Sequence, residues 1–159
     1  NGIGIIDGLA EGPDVALPGL RCLRGQWSEG GAVRAGVQRT QAALPRAGLP
    51  VMVVHGADDG LVPEAFSGAA YARWADASGR PVSYWSVAHA QHFDGFLGLP
   101  FLGARYVPML AYGYRALDAT WAHLETGAPM PADAVITPTP RGFADGAVPA
   151  LESRHLALP

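Results

Sequence analysis

At 159 residues, 49% of them hydrophobic and 16% charged, the chain can bury one substantial core and does not have the composition of a disordered tail. Its net charge is a mild −3, and its eleven basic residues, all Arg, form no run along one face, which argues against nucleic-acid binding. No apolar run approaches the ~18 residues of a membrane span, so no membrane partner is expected.

Cys22 is the only cysteine, so no internal disulfide can form. A buried apolar thiol is the expected role, and a bridge to a separate chain is the alternative if the protein is exported. The opening Asn1-Gly2-Ile3-Gly4-Ile5-Ile6-Asp7-Gly8 has no initiator Met and no signal-peptide profile, and reads as the continuation of a longer polypeptide.

Residues 1–29, rich in Gly and Pro, read as a loop-rich lead-in with at most a helical turn, Trp27 serving as an anchor. From Gly30 to Ala47, Val33, Val37 and Leu44 recur at helical intervals, and Pro45 and Gly48 stop the helix. Leu49–His55 is a continuous apolar, β-branched run closed by Gly56, the pattern of a strand covered on both faces in a parallel sheet. Pro63 opens a second helix to about Ser78, with Phe66, Ala70, Tyr71 and Trp74 as its apolar side and Gly79 as its stop.

Residues 81–87 read as the next strand, followed by a helical segment from about Phe93. Between 103 and 126, Tyr106, Met109, Leu110, Tyr114, Leu117, Trp121 and Leu124 recur at helical spacing, and core packing is the expected use of that stripe. The tail from Ala128, interrupted by Pro129, Pro131, Pro138, Pro140 and Pro149, reads as an extended surface wrap rather than a further layer. The alternation of helix and strand predicts an α/β layered fold with parallel strands and flanking helices over 30–127, followed by the Pro-rich 128–159.

In such sheets functional groups gather on loops at the carboxyl ends of strands. Asp58 and Asp59 follow the first strand, and His92 follows the second. A carboxylate bonded to one imidazole nitrogen fixes the tautomer and leaves the other nitrogen to face a nucleophile. Acid ahead of base along the chain is also the order of α/β-hydrolases. Asp59 stands three residues after the strand-ending Gly56 and just before Val62-Pro63, so it is preferred to Asp58, which would stabilise the turn or face solvent.

His92 is preferred to His89 because Phe93–Leu97 can seat its ring, which leaves His89 as a rim residue or one supporting the site from behind. His55 is read as a hydrogen-bonded structural residue at the strand end, while His123 falls in the aromatic helix and His155 in the tail. His89-x-x-His92 alone is too weak for a metal site, and no cofactor is expected.

No Gly-x-Ser-x-Gly is present. Of the six serines only Ser28 has a faintly elbow-like setting, and helix capping accounts for it better. The nucleophilic Ser and the oxyanion-hole donors are therefore expected on an upstream segment or a companion chain.

Three segments carry a family resemblance: Val54–Pro63, Tyr84–Leu97 with its Ala-Gln-His-Phe-Asp stretch, and Arg105-Tyr106-Val107-Pro108-Met109-Leu110. With Ala116-Leu117-Asp118, Trp121-Ala122-His123-Leu124 and Thr139-Pro140-Arg141-Gly142, they resemble the C-terminal part of D-(−)-3-hydroxybutyrate oligomer hydrolases. The resemblance spans residues 50 to 142. It implies an α/β-hydrolase esterase that cuts short 3-hydroxybutyrate oligomers to monomers in polyhydroxybutyrate degradation, with Asp59 and His92 as charge-relay members and the Ser upstream. Trp85, Tyr106 and Tyr112 are candidates for lining an ester pocket, with core packing the stronger expectation for each. The remaining alternatives are an α/β-hydrolase acting on another ester, or a fragment that binds without chemistry. The expected location is secreted or periplasmic, with the cytoplasm as the alternative.

Overall fold

The computed structural model describes residues 17–159. The chain divides into two compact units, residues 1–43 and 44–159.

Within the first unit, α1 (Leu17–Glu29) and α2 (Gly31–Arg39) pack on each other. Gly30 and Gly31 join them with φ of 88° and 66°, left-handed backbone that glycine adopts without strain. The Arg34 guanidinium lies 5.3 Å from the Trp27 ring centroid and donates to the Trp27 carbonyl at 3.0 Å. This corrects the loop reading of residues 17–29, where Leu17, Leu20 and Leu23 supply a helical period that the flanking glycines obscured. The rest of that lead-in, including Ile3 to Asp7, lies outside the described residues. Ser28 sits in the last turn of α1, while Gly30 occupies the cap of α2 without a side-chain bond, so the capping role expected of Ser28 is also corrected. Cys22 is exposed rather than buried.

The second unit contains a three-stranded parallel sheet in the order β1 (Met52–Gly56), β2 (Ser83–Val87), β3 (Ala134–Ile136). A 3-10 turn at Glu64–Phe66 and α3 (Gly68–Ala77) connect the first two strands. Between β2 and β3 come a 3-10 turn at Asp94–Gly98, the short α4 (Pro100–Gly103) and the long α5 (Met109–Thr126). Helical crossovers are what parallel pairing requires. Both major helices stop where glycine permits left-handed backbone, at Gly79 (φ 68°) and Gly127 (φ 73°).

Alternate residues of each strand face α5. Trp85, Val87 and Ile136, with Met52, Val54 and Ala134 beside them, pack against Tyr112 and Ala116 of α5. Tyr112 is fully buried; its hydroxyl donates to the Leu156 carbonyl, and burial pushes its pKa up to about 12. Trp85 and Tyr112 thus belong to the core, as core packing predicted, and Tyr106 is half-buried.

The structure departs from the sequence reading in several further places. Ala134–Ile136, inside the Pro-rich tail, adds a strand to the sheet. The proline-free triplet between Pro131 and Pro138 is long enough to form ladder bonds, though too short to stand out among prolines. β1 is only half-buried, not covered on both faces. The stripe on α5 faces outward: Leu110, Tyr114, Leu117 and Trp121 are 57–59% exposed and Leu124 is 63% exposed. Phe66 and Trp74, expected on the apolar side of the second helix, are exposed as well.

Candidate active site

The strand register decides where the loops emerge. Gly56 pairs with Val87 and Val87 with Ile136, so all three strands end level and their following loops leave the same edge of the sheet. The Ala57 amide donates to the Val87 carbonyl at 2.8 Å and the Asp58 amide to the Ala90 carbonyl at 3.2 Å, so the first two loops are stitched together directly beyond the strands. A Cβ at Gly56 would collide with the Ala90 carbonyl, which gives the first residue of the Gly-x-x-Asp element a physical reason to be glycine.

Asp59 is buried at 6% exposure. One carboxylate oxygen, Oδ1, accepts the amides of Leu61 at 3.0 Å and Val62 at 2.9 Å. The other, Oδ2, accepts the His92 amide at 3.3 Å and bonds the His92 Nδ1. Burial alone would raise the Asp59 pKa, but the Val62 amide, the His92 ring and the Leu61 amide together outweigh it and hold the carboxyl below its ordinary range. A buried carboxylate with this many donors remains charged and fixed in orientation.

The His92 side chain is 38% exposed, and its only hydrogen-bonded ring atom among the described residues is Nδ1. With Nδ1–H committed to Asp59, Nε2 carries the lone pair and is open to a proton donor. Phe93 packs against the imidazole with ring centroids 3.8 Å apart, and Phe96 supports Phe93 at 5.2 Å, so the segment after His92 seats the ring as its sequence suggested. The Gln91 side chain brackets Phe93, donating to its carbonyl at 2.8 Å and accepting its amide at 2.6 Å.

The other histidines have local partners. His55 bonds the Val62 carbonyl through Nε2 at 3.0 Å, the structural role expected at a strand end. His123 bonds the Ala128 carbonyl at 2.7 Å, and the Nδ1 of His155 accepts the Glu152 amide at 2.9 Å. His89 lies beside Asp58, with its Nδ1 3.5 Å from the Asp58 carboxylate. Among the described residues no cluster of three or more His, Cys, Asp or Glu side chains could hold a metal ion, and no helix is long and apolar enough to cross a membrane.

The sequence reading missed Asp94, whose carboxylate accepts the amides of Met109 and Leu110, each at 2.8 Å. Pro108, which caps α5, offers no side-chain acceptor, so the cap comes from fifteen residues upstream and ties the loop after His92 to the start of α5. A helix start lacking Ser, Thr, Asp or Asn was the available signal. It also missed Asp133, which accepts the Tyr84 amide at 2.8 Å ahead of β3. A cleft of about 480 Å³ beside it, lined in part by Glu64, Arg73, Tyr84 and Ser86, includes neither Asp59 nor His92.

Comparison with known proteins assigns the family. Residues 7–158 match the family model described as 3HB-oligomer hydrolase. The chain belongs to the 3HB-oligomer hydrolase family. Proteins named D-(−)-3-hydroxybutyrate oligomer hydrolase from Burkholderia mallei and Burkholderia pseudomallei are 36% identical to it over 168 residues. Those alignments cover 98% of this chain and 24% of each relative, so the chain spans about a quarter of the length of the curated relatives it matches. No solved structure matches the chain significantly. The small parallel sheet with flanking helices places this member of the 3HB-oligomer hydrolase family in the α/β class.

Proposed function

We propose that this chain supplies the acid and base of a serine esterase of the α/β-hydrolase type that cleaves short 3-hydroxybutyrate oligomers to monomers, with the nucleophilic Ser carried on an upstream part of the polypeptide. The observation that carries the reading is the Asp59–His92 pair: a buried, fully bonded carboxylate orienting an imidazole whose second nitrogen is unpartnered among the described residues. Family membership supports the substrate class. Among the described residues no serine hydroxyl bonds the ring, in keeping with a nucleophile from elsewhere.

The reaction follows from the two nitrogens. Nε2 takes the Ser proton as the hydroxyl oxygen attacks the ester carbonyl, and Asp59 stabilises the imidazolium that forms. The tetrahedral intermediate collapses, the ester C–O bond breaks, and the same proton passes to the departing alkoxide to give the alcohol. Water, deprotonated by Nε2, then attacks the acyl-enzyme and releases the acid and the free Ser. Large apolar side chains stand open on both loops, Leu61 and Phe66 after Asp59 and Phe93 and Phe96 after His92, which suits an ester with methyl-bearing units.

A companion segment is supported by two open surfaces. β1 has a strand partner only on its β2 side among the described residues, and α5 carries apolar residues on the side away from the sheet. A helix apolar on opposite faces belongs inside a larger assembly.

Labelling the full-length polypeptide with a fluorophosphonate, followed by peptide mapping, tests the reading. The expected result is one labelled serine upstream of these residues together with release of 3-hydroxybutyrate from the trimer. Absence of labelling favours a binding fragment, and labelling without trimer cleavage favours another ester.

A further inference from the structure

We propose that Asp58, next to the candidate acid, is a positioning residue for His92 that acts through the backbone of His89. This rests on the reading of Asp59 and His92 as a charge-relay pair. His89 has φ of 53°, left-handed backbone that disfavours any residue with a Cβ. It lies two residues past Val87 and three before His92, at the point where the loop turns back toward Asp59.

Asp58 holds both sides of that turn. Its Oδ2 accepts the His89 amide at 3.1 Å, and its own amide donates to the Ala90 carbonyl at 3.2 Å. From the opposite side the Val107 amide donates to the His89 carbonyl at 2.7 Å. The peptide units on both sides of His89 are therefore fixed, and the chain leaves Ala90, itself fully buried, aimed at Asp59. The Asp58 side chain is 48% exposed, so removing its carboxylate leaves no hole in the core. Each of the two adjacent aspartates thus serves one histidine of the next loop: Asp59 bonds the ring of His92, and Asp58 fixes the turn that delivers it.

The test uses the full-length polypeptide, a chromogenic butyrate ester and a double-mutant cycle. Asp58→Ala is expected to lower kcat by about 10- to 100-fold at unchanged KM, the scale of loss from a misplaced catalytic group. In a His89→Gly background the same substitution should cost less than about threefold, because glycine adopts the turn unaided. Asp58→Asn keeps an oxygen for the His89 amide and should recover most of the kcat that Asp58→Ala loses. An Asp58→Ala enzyme with wild-type kcat overturns the proposal, as does a loss that persists undiminished with Gly at position 89. Asn behaving like Ala also overturns it, pointing to the charge, and a raised KM alone points to a substrate contact. If substitutions of Asp59 and His92 leave turnover intact, the charge-relay reading itself falls, whatever Asp58 does.

Discussion

The junction between the β1 and β2 loops and the outer face of α5 are finished in opposite ways. At the junction the Asp59 carboxylate accepts bonds from Leu61, Val62 and His92, and the closest backbone approach is made possible by Gly56. On α5, Tyr114, Leu117, Trp121 and Leu124 stand open on the face away from the sheet. Polar groups within reach of each other can be satisfied inside a short stretch of chain, because a hydrogen bond needs one partner at one distance. Apolar area is satisfied only by another surface of similar size. The Asp59 carboxylate finds its partners within this chain, while the outer face of α5 stays exposed among the described residues.

The sharpest way to break that contrast is to attack the junction. In the full-length polypeptide, His92→Ala and Asp59→Asn are each expected to lower kcat by about 10³- to 10⁴-fold. Circular dichroism and thermal unfolding should show that the fold is retained. Turnover within tenfold of wild type in both variants removes the junction from the chemistry.

The α5 face is probed next. If an upstream layer covers it in the full-length polypeptide, Trp121→Ala and Leu117→Ala should each cost about 3 kcal/mol in denaturant unfolding. A cost below about 0.5 kcal/mol, the value for open surface positions, would show the face bare and the contrast misread.

Gly56→Ala asks whether the loops really touch. The added methyl meets the Ala90 carbonyl, which is backbone and can move only with its loop. Overpacking of this kind should cost about 1–3 kcal/mol of stability and lower kcat through displacement of His92. A variant as stable and active as wild type would mean the loops stand further apart.

The smallest effect is a pH dependence. The Asp59 pKa is lowered in the folded chain, so the unfolded chain binds its proton first as pH falls. Its contribution to stability is therefore fully present above the ordinary carboxylate range and is lost as pH drops through the depressed folded value. Unfolding free energies of wild type and Asp59→Asn, measured from neutral to acid pH, should converge toward the acid end. A gap that widens on acidification contradicts the lowered pKa.

Local sequence made much of the site legible. Gly-x-x-Asp with Val-Pro behind it, and a histidine followed by bulky residues, mark positions whose chemistry depends on near neighbours. Strand identity was readable at β1, a continuous apolar run closed by Gly56, and at β2, where Tyr84, Trp85 and Val87 are residue types that favour strands. Longer-range partners left no such trace. Asp94 caps α5 across fifteen positions, Asp133 accepts the Tyr84 amide across 49, and His89 adopts left-handed backbone without being glycine.

Periodicity placed a helix with an apolar stripe within residues 103–126, of which Met109–Thr126 form α5, because spacing along the chain dictates which side chains share a face. It pointed to the wrong face for the core: Leu117 and Trp121, expected to pack inward, stayed out, while Tyr112 and Ala116 went inward. Side-chain identity and local spacing belong to the chain alone, and from them came the α/β alternation, Asp59 and His92. The third strand in the tail, the inward face of α5 and the bond between Asp59 and His92 were decided by tertiary packing, because each depends on surfaces that meet only after distant segments have folded together.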